Sequence, residues 1–368
     1  MDKLELARQQ IDQADAELAR LFAQRMNAVR EIAEYKKAAG LPIRDPAREA
    51  QVLQQAQTRV PDPELREYYV PFQKALMDLS CRYQARLLDG RRAGYCGAAG
   101  AYAETAARKL LPEAELVPCA SFRAACEAVE NGTLDCAVLP LENSLAGEVG
   151  EVTDLLFRGS LFLNAVLELP VRHCLAGLPG ARLQDAKTVL SHPQALAQCS
   201  DLLARQGLAA AQTSSTSEAA RAVSRQDDRA LAAICSRQAA ELYGLTVLAE
   251  NVQNAGTNVT RFALLSRAQS AAPEGGPDED QRFFLTFTTP DRAGSLAQVL
   301  NIVGAHGYNL RCLRSRPMQA LAWHYYFYLE AEGCIHTPDG QAMLTELSAL
   351  CARLKLVGSC RVRKEPEA

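Results

Sequence analysis

The stretch RAGYCGAAGAYA, residues 92–103, decides how the chain is read. Ala93–Cys96 is a short apolar run, Gly97 and Gly100 frame a tight turn, and Tyr102 opens a helical stretch. Strand, glycine turn and helix together begin an α/β unit. Further short apolar runs follow at Asp135–Pro140, Thr188–Leu190, Ala232–Ile234 and Arg261–Leu265, separated by Ala-rich helical stretches. An α/β domain over 92–267 is the expectation. It stops at AQSAAPEGGPDEDQ, residues 268–281, whose Pro, Gly and acidic residues read as a solvated linker. Beyond it, FFLTF, SLAQVLNIVGAHG, NLRCLRSRP, WHYYFYLEAEG, a helical 339–354 and GSCRV read β-α-β-β-α-β. That order predicts a ferredoxin-like α+β domain over 282–362.

Upstream of residue 92 the periodicity is helical throughout. Leu4, Ile11, Leu18, Arg25 and Ile32 recur every seven residues, which predicts a long coiled-coil-like helix ending near Lys37 or Ala39, before Gly40-Leu41-Pro42. Asp45-Pro46 reads as a cap and first-turn proline for a second helix to about Arg59. After Pro61 and Pro63 a third helix carries Leu65, Phe72, Leu76, Leu79, Tyr83 and Leu87 on its expected buried side. Residues 1–90 therefore form a separate all-α domain.

Composition narrows the function classes. Forty basic and 43 acidic residues leave a formal net charge of −3, which argues against a general nucleic-acid binder. No apolar run approaches the length of a membrane span, and MDKLELARQQ has no signal-peptide character, so a cytoplasmic protein is expected. Twelve cysteines are scattered from Cys81 to Cys360 without a C-x-x-C, and the five histidines show no metal-ligand spacing. Reduced thiols and no metal are the expectation.

Arg25 breaks an apolar seam, and Lys36 returns to nearly the same face about three turns later. A single arginine of this kind can snorkel from a loosely packed pair of helices. Two stacked cations repel unless an anion joins them, which favours a dianionic ligand. Arg8 falls about 100° from Arg25 around the helix, so a second chain is the simplest way to aim both at one point. Asp45, Arg48 and Glu49 open the second helix, and Ser80 and Gln84 flank the stripe of the third. Singly, each is also an ordinary cap, surface charge or helix flank.

Together, Arg8, Arg25, Lys36, Asp45, Arg48, Glu49, Ser80 and Gln84 resemble the active-site pattern of the all-helical chorismate mutases over roughly residues 3–89. The resemblance implies an intertwined homodimer in which Arg8 reaches into the partner's site. It also implies that Arg8, Arg25 and Ser80 hold the substrate carboxylates. Asp45 and Glu49 would hold the hydroxyl region, organised by Arg48, while Lys36 and Gln84 would donate to the ether oxygen. Rearranging chorismate to prephenate demands no nucleophile; selecting the compact conformer and stabilising charge on the breaking C–O oxygen suffice. A purely structural helical dimerisation arm is the alternative for this segment.

In the middle domain, Pro140-Leu141-Glu142-Asn143-Ser144 with Gly147, Ser191-His192-Pro193-Gln194 with Gln198, and Asn258-Val259-Thr260-Arg261-Phe262 lie at or beside strand-like runs. In that order, with His173 and Tyr243–Leu245, they resemble prephenate dehydratase over about 92–267. The resemblance implies an α/β fold of two subdomains like a periplasmic binding protein, with prephenate in the cleft. It makes Asn143, Ser191, Gln198 and Thr260 the catalytic positions, Thr260 as the acid, with no cofactor required. The turn at Gly97–Ala103 keeps the glycines that let backbone approach an anion but has Ala101 and Ala103 where that family has hydroxyls, which predicts a raised KM. Cys235 replaces a small residue and reads as packing.

Residues 282–362 resemble an ACT domain of the phenylalanine-sensing kind, with Gly294-Ser295-Leu296-Ala297 and Arg314-Ser315-Arg316-Pro317 at the motif positions. Gly294, Ser295, Leu296, Arg314, Ser315, Arg316 and Pro317 are then the expected effector-binding residues, and Arg314 stands where the motif has glutamate. A structural dimerisation domain is the plain alternative. The whole order is that of the bifunctional chorismate mutase/prephenate dehydratases of phenylalanine biosynthesis, which form phenylpyruvate and answer to phenylalanine as effector. Two other readings remain at this stage: arogenate as the second substrate, or a middle domain that binds without turnover and serves as a phenylalanine-responsive regulatory module.

Overall fold

The computed structural model describes residues 2–270, 280–318 and 323–365, so residues 271–279 of the expected linker lie outside the described residues. The described chain divides into two compact units, 1–91 and 92–368.

The first unit is α1 (Lys3–Ala39), α2 (Pro46–Arg59) and α3 (Pro63–Asp89). Gly40 ends α1 in the left-handed conformation, its N–H turned back to the carbonyls of Lys36 and Lys37. Asp45 caps α2 by accepting from the Arg48 N–H, and Pro46 occupies the first turn. The packing inverts the usual order. Gln73, Ser80 and Gln84 are buried on α3, whereas Leu65, Phe72, Leu79 and Leu87, expected on the buried side, are exposed. Along α1, Leu4, Ile11 and Leu18 are 56%, 59% and 52% exposed, and only Val29 and Ala33 are buried. The heptad seam exists, but nothing else among the described residues of this helical unit covers it.

The second unit begins with β1 (Arg92–Cys96), α4 (Tyr102–Leu110), β2 (Glu115–Cys119), α5 (Phe122–Glu130), β3 (Cys136–Asn143), β4 (Gly147–Glu148), α6 (Gly150–Arg158) and β5 (Phe162–Pro170). The chain then crosses into a second lobe. Its strands are β6 (Cys174–Gly177), β7 (Thr188–Ser191), β8 (Ala209–Gln212), β9 (Leu231–Cys235) and β10 (Thr246–Ala249). Its helices are α7 (Pro193–Gln198), α8 (Ser200–Gln206), α9 (Thr216–Ser224) and α10 (Arg237–Leu242). β11 (Val259–Ser266) returns to the first lobe between β3 and β5. The C-terminal part is β12 (Gln281–Thr288), α11 (Ser295–Ala305), β13 (Leu310–Pro317), β14 (Tyr325–Glu332), α12 (Pro338–Leu350) and β15 (Arg353–Lys364), the expected β-α-β-β-α-β order.

The sheets run β10-β6-β9-β7-β8 in the second lobe and β13-β14-β12-β15-β5-β11-β3-β1-β2 through the first lobe and the C-terminal part, with β4 paired to β3. β15 lies parallel to β5, so the C-terminal strands extend the sheet of the first lobe. One apolar cluster accordingly joins Leu139, Val152, Leu156 and Leu265 to Phe284, Tyr328 and Val357. Burial of each large side chain contributes about 1.5–3 kcal/mol.

The C-terminal part also secures α6. Lys355 Nζ donates to the carbonyls of Leu156, Gly159 and Leu161 at 2.8, 2.7 and 3.2 Å, and Arg353 donates to Phe157 O at 2.7 Å. Cations at the carbonyl end of a helix complement its dipole. Burial pulls the Lys355 pKa down to about 8. Phe157 stacks on Tyr326 with ring centroids 4.0 Å apart.

The junction of β5 and β15 depends on Gly358, where an added Cβ would lie 1.9 Å from the Leu163 carbonyl oxygen. The obstacle is backbone and cannot rotate away. Gly358→Ala is therefore expected to destabilise the second unit by about 2–4 kcal/mol. Thermal unfolding checks this; an unchanged Tm would show that the two strands part without cost.

Candidate active sites

In the helical unit, Arg25 Nη1 donates to Ser80 Oγ and, at 3.4 Å, to Leu76 O, joining α1 to α3. Lys36 Nζ donates to Ile43 O, beside the start of α2. No ion pair is recorded for either cation among the described residues, and burial pulls the Arg25 pKa below its ordinary range. Half-buried cations resting on neutral oxygens favour an arriving anion. Buried Gln84 leaves Oε1 without a partner. Glu49 lies 3.2 Å from Arg44 and 3.9 Å from the Cys81 thiol on α3. Arg44 also pairs with Asp78 at 2.8 Å; neither Arg44 nor Cys81 was singled out by the sequence pattern. Asp45 is engaged as a cap, and Arg48 donates to Gln51 at 2.6 Å. Arg8 is exposed, 17 residues before Arg25, about 26 Å away along a straight helix. Its own chain cannot bring it to the cluster.

In the second unit, a cavity of about 440 Å3 opens between the lobes, lined by Gly97, Tyr102, Phe122, Asn143, Glu148, His173, His192, Gln198, Thr216, Asn258 and Thr260 among others. β3 and β11 set Asn143 directly opposite Thr260. The Asn143 side chain bridges in both directions. Its Oδ1 accepts from the N–H groups of Leu145 and Ala146 at 3.0 and 2.9 Å, which fixes the following turn and the sense of the amide. Its Nδ2 donates to Asn258 Oδ1 at 2.7 Å and to Thr260 Oγ1 at 2.9 Å. Because Thr260 Oγ1 accepts, its own hydrogen is available to a ligand.

The chain of contacts continues into the second lobe. Asn258 Nδ2 donates to Gln198 Oε1 at 3.1 Å, and His173 Nε2 meets the same oxygen at 3.1 Å. An oxygen can only accept here, so His173 carries its hydrogen on Nε2, and the Gln198 NH2 group is left for a ligand. Burial pulls the His173 pKa below its ordinary value and keeps the ring neutral. Tyr102 closes the chain, 3.3 Å from His173 Nδ1 while donating to Arg172 O. Two predicted positions, Asn143 and Thr260, thus join a network with the third, Gln198. Asn258, His173 and Tyr102 complete it; the sequence pattern includes each without giving it a role.

Ser191 does not face the cavity. It is 0% exposed and donates to Ile234 O at 2.6 Å, so its hydroxyl ties β7 to β9 beneath the site. The glycine turn also differs from expectation. Gly100 has φ +84°, its N–H is taken by Glu104 Oε2 at 2.6 Å, and an added Cβ would lie 2.9 Å from Ala239 Cα. Its glycine serves close packing of the turn on α10 rather than anion approach. Ser236 Oγ donates to Gly100 O at 3.0 Å across the same contact. Cys235 is fully buried in the second-lobe core, opposite Cys174.

In the C-terminal part, Gly294, Ser295 and Leu296 line a cavity of about 500 Å3 with Asp291, Met318, Trp323 and Tyr325. The other half of the expected effector site is elsewhere. Strand β13 alternates, turning Arg314 and Arg316 inward and leaving Ser315 and Pro317 exposed. Among the described residues no three His, Cys, Asp or Glu side chains converge as metal ligands, and no helix is long and apolar enough to cross a membrane.

A helical anion site followed by a two-lobed α/β cleft of amides and hydroxyls defines a two-site enzyme acting on small carboxylates. The family model of chorismate mutase type II matches residues 7–85, and that of prephenate dehydratase matches 93–270. The bifunctional chorismate mutase/prephenate dehydratase of Enterobacter agglomerans is 31% identical over 95% of this chain and 94% of its own length. Arogenate dehydratase 2 of Petunia hybrida is 37% identical over 73% of this chain and 71% of its own. The crystal structure of prephenate dehydratase from Arthrobacter aurescens in complex with L-Phe superposes with a TM-score of 0.67 and 30% identity, covering 75% of this chain and 92% of that one. The chain belongs to the bifunctional chorismate mutase/prephenate dehydratase family and carries both enzymatic activities.

The neutral His173 makes the network acid-sensitive. The unfolded chain protonates this ring near pH 6.5, above the native value, so it binds more protons than the native state as the pH falls. The contribution of His173 is complete above about pH 6.5 and is lost on acidification. Tm of the wild type should fall more steeply below that pH than Tm of His173→Gln; parallel curves would mean the ring is not held neutral.

Proposed function

We propose that the helical domain, residues 1–90, binds chorismate with Arg25, Ser80 and, from a second copy, Arg8 on its carboxylates. Asp45 and Glu49 take the hydroxyl region, with Arg48 organising them, and Lys36 and Gln84 donate to the ether oxygen. The two half-buried cations, Arg25 and Lys36, resting on neutral oxygens support this placement. Electrostatic donors aimed at the breaking C–O bond stabilise the charge that grows there. The exposed apolar stripe of α1 supports a homodimer in which each copy covers the other's seam.

The second reaction belongs to the cleft of the dehydratase domain, 92–267. Prephenate loses its ring hydroxyl as water and its ring carboxylate as CO2, giving phenylpyruvate. Thr260 donates its hydrogen to the departing hydroxyl and regains one from solvent, while the C–C bond electrons enter the ring as it becomes aromatic. The observation that carries this reading is the Asn143–Thr260 hydrogen bond, which leaves the threonine hydrogen free. Gln198 presents its NH2 group to the substrate; Ser191 acts by holding β7 in place.

The plant relatives favour a comparison with arogenate, whose ammonium group needs an anionic partner. The carboxylate at the cavity, Glu148, already accepts from Thr153 and lies 3.8 Å from Arg316, which favours the uncharged keto group of prephenate. After the linker at 268–281, residues 282–362 form the ACT domain. Phenylalanine is its effector, bound by Gly294, Ser295 and Leu296, with the exposed Ser315 and Pro317 turned toward a second copy. The enzyme works in the cytoplasm.

Arg25→Ala should lower mutase kcat/KM by about a hundredfold or more and leave phenylpyruvate formation from prephenate within twofold. Thr260→Ala should do the reverse, with Thr260→Ser retaining most dehydratase activity. Assays supplied separately with chorismate, prephenate and arogenate check this. Loss of both activities in either variant would contradict two independent sites, and a preference for arogenate would move the second substrate.

A further inference from the structure

Beside the cleft, and reaching it only at Glu148, lies a ladder of acids and arginines to which neither reaction assigns a chemical step. Glu142 immediately precedes Asn143 on β3 and has three neighbours. Across β11 it is in register with Arg261, whose Nη1 lies 3.6 Å from its Oε2. Across the β3–β4 hairpin it is in register with Glu148. Two carboxylates facing each other in a strand pair repel. Here they sit at the base of the turn that Asn143 organises.

Arg261 is largely committed elsewhere. It holds Glu330 through two contacts of 2.7 Å and lies 3.5 Å from Glu168. The neutralisation of the hairpin therefore falls to β13. Arg314 Nη2 donates to Glu142 Oε1, and its Nε lies 3.9 Å from Glu148 Oε2. Arg316 lies 3.8 Å from Glu148 and binds Asp154 with both arms, at 2.8 and 3.0 Å, while Tyr326 donates to the same Asp154 at 2.6 Å. These side chains are about one-fifth to one-quarter exposed, so solvent screens the ladder only in part.

We propose that Arg314 is a positioning residue of the dehydratase site: it reaches from the C-terminal domain to clamp Glu142 and Glu148 together and so holds Asn143 against Thr260. It touches no reacting atom and acts through Glu142. This rests on the dehydratase reading of the cleft. A glutamate at 314 would gather three carboxylates at the hairpin base. The strands would spread, the Leu145 and Ala146 N–H groups would leave Asn143 Oδ1, and the amide would drift from Thr260.

Four forms of the full chain test this: wild type, Arg314→Glu, Arg314→Lys and the double variant Arg314→Glu/Glu148→Gln. Arg314→Glu should lower dehydratase kcat at least tenfold with a smaller change in KM, and leave mutase activity unaltered. Raising the salt concentration should recover part of the loss. Arg314→Lys should stay within about threefold of wild type, and the double variant should regain most of the lost rate by removing one of the three acids. Hydrogen exchange at Leu145 and Ala146 supplies a readout independent of turnover: faster in Arg314→Glu, slower again in the double variant. Wild-type exchange and kcat in Arg314→Glu would overturn the proposal, as would a double variant no better than the single one. A wild type that exchanges as expected but forms no phenylpyruvate would overturn the dehydratase reading and leave the clamp standing.

Discussion

The amide of Asn143 is the constraint on which the dehydratase cleft depends. Its oxygen closes the turn that follows β3, and its nitrogen reaches both Asn258 and Thr260 on the segment returning from the second lobe. The chain passes between the lobes twice, and the two crossings are stitched side by side: Val171 N–H donates to Asn258 O at 2.8 Å, and His173 N–H to Gln253 Oε1 at 2.9 Å. A side chain placed at that seam senses both lobes. From Tyr102 through His173, Gln198, Asn258 and Asn143 to Thr260, each polar group has its partner fixed by the next. Satisfied networks of this kind are rigid, and leaving one member unpaired in a buried site is costly. With Thr260 as the proposed acid, the chemistry needs such rigidity, because a threonine hydroxyl is a weak acid that works through placement.

The helical unit solves the opposite problem. Its interior keeps Ser80 and Gln84, and half-buried Arg25 and Lys36, while its large apolar residues face outward. Burying polar groups without an obligatory partner is unfavourable in a free chain. On the proposed reading, an anionic ligand satisfies the interior and a second copy covers the exterior. In the other unit the C-terminal strands do more than follow the catalytic lobes. They extend the sheet through β15, cap the end of α6 with Arg353 and Lys355, and reach its start with Arg316. The helix leading away from the Asn143 turn is therefore held at both ends by residues distant in sequence.

Much of this was legible in the sequence. Helix boundaries followed from Gly40, Asp45-Pro46 and Pro63, and the C-terminal element order from alternating periodicity. Asn143, Gln198 and Thr260 stood out through the ordered resemblance to prephenate dehydratase, each near a strand-like run but unremarkable alone. What escaped depends on long-range geometry. His173 and Asn258 gain meaning only when two crossings lie side by side. Gly100 looked like a residue for approaching an anion until α10 was seen to fill the space beside it. Ser191 ends β7, but its hydroxyl points at Ile234 O; facing alternates with every residue along a strand, so a strand-end position alone does not aim a side chain into the cleft. Arg314 was read beside an effector because nothing local indicates that β13 turns it toward Glu142.

The most direct test of the network is a double-mutant cycle on Asn258→Ala and Thr260→Ala, read in dehydratase kcat with prephenate as substrate. If both act through one hydrogen-bonded unit, the double variant should be little slower than Thr260→Ala alone, because the threonine hydrogen that Asn258 helps to place is already gone. Losses that multiply would show that Asn258 and Thr260 contribute independently, and the account of a single positioned acid would fail.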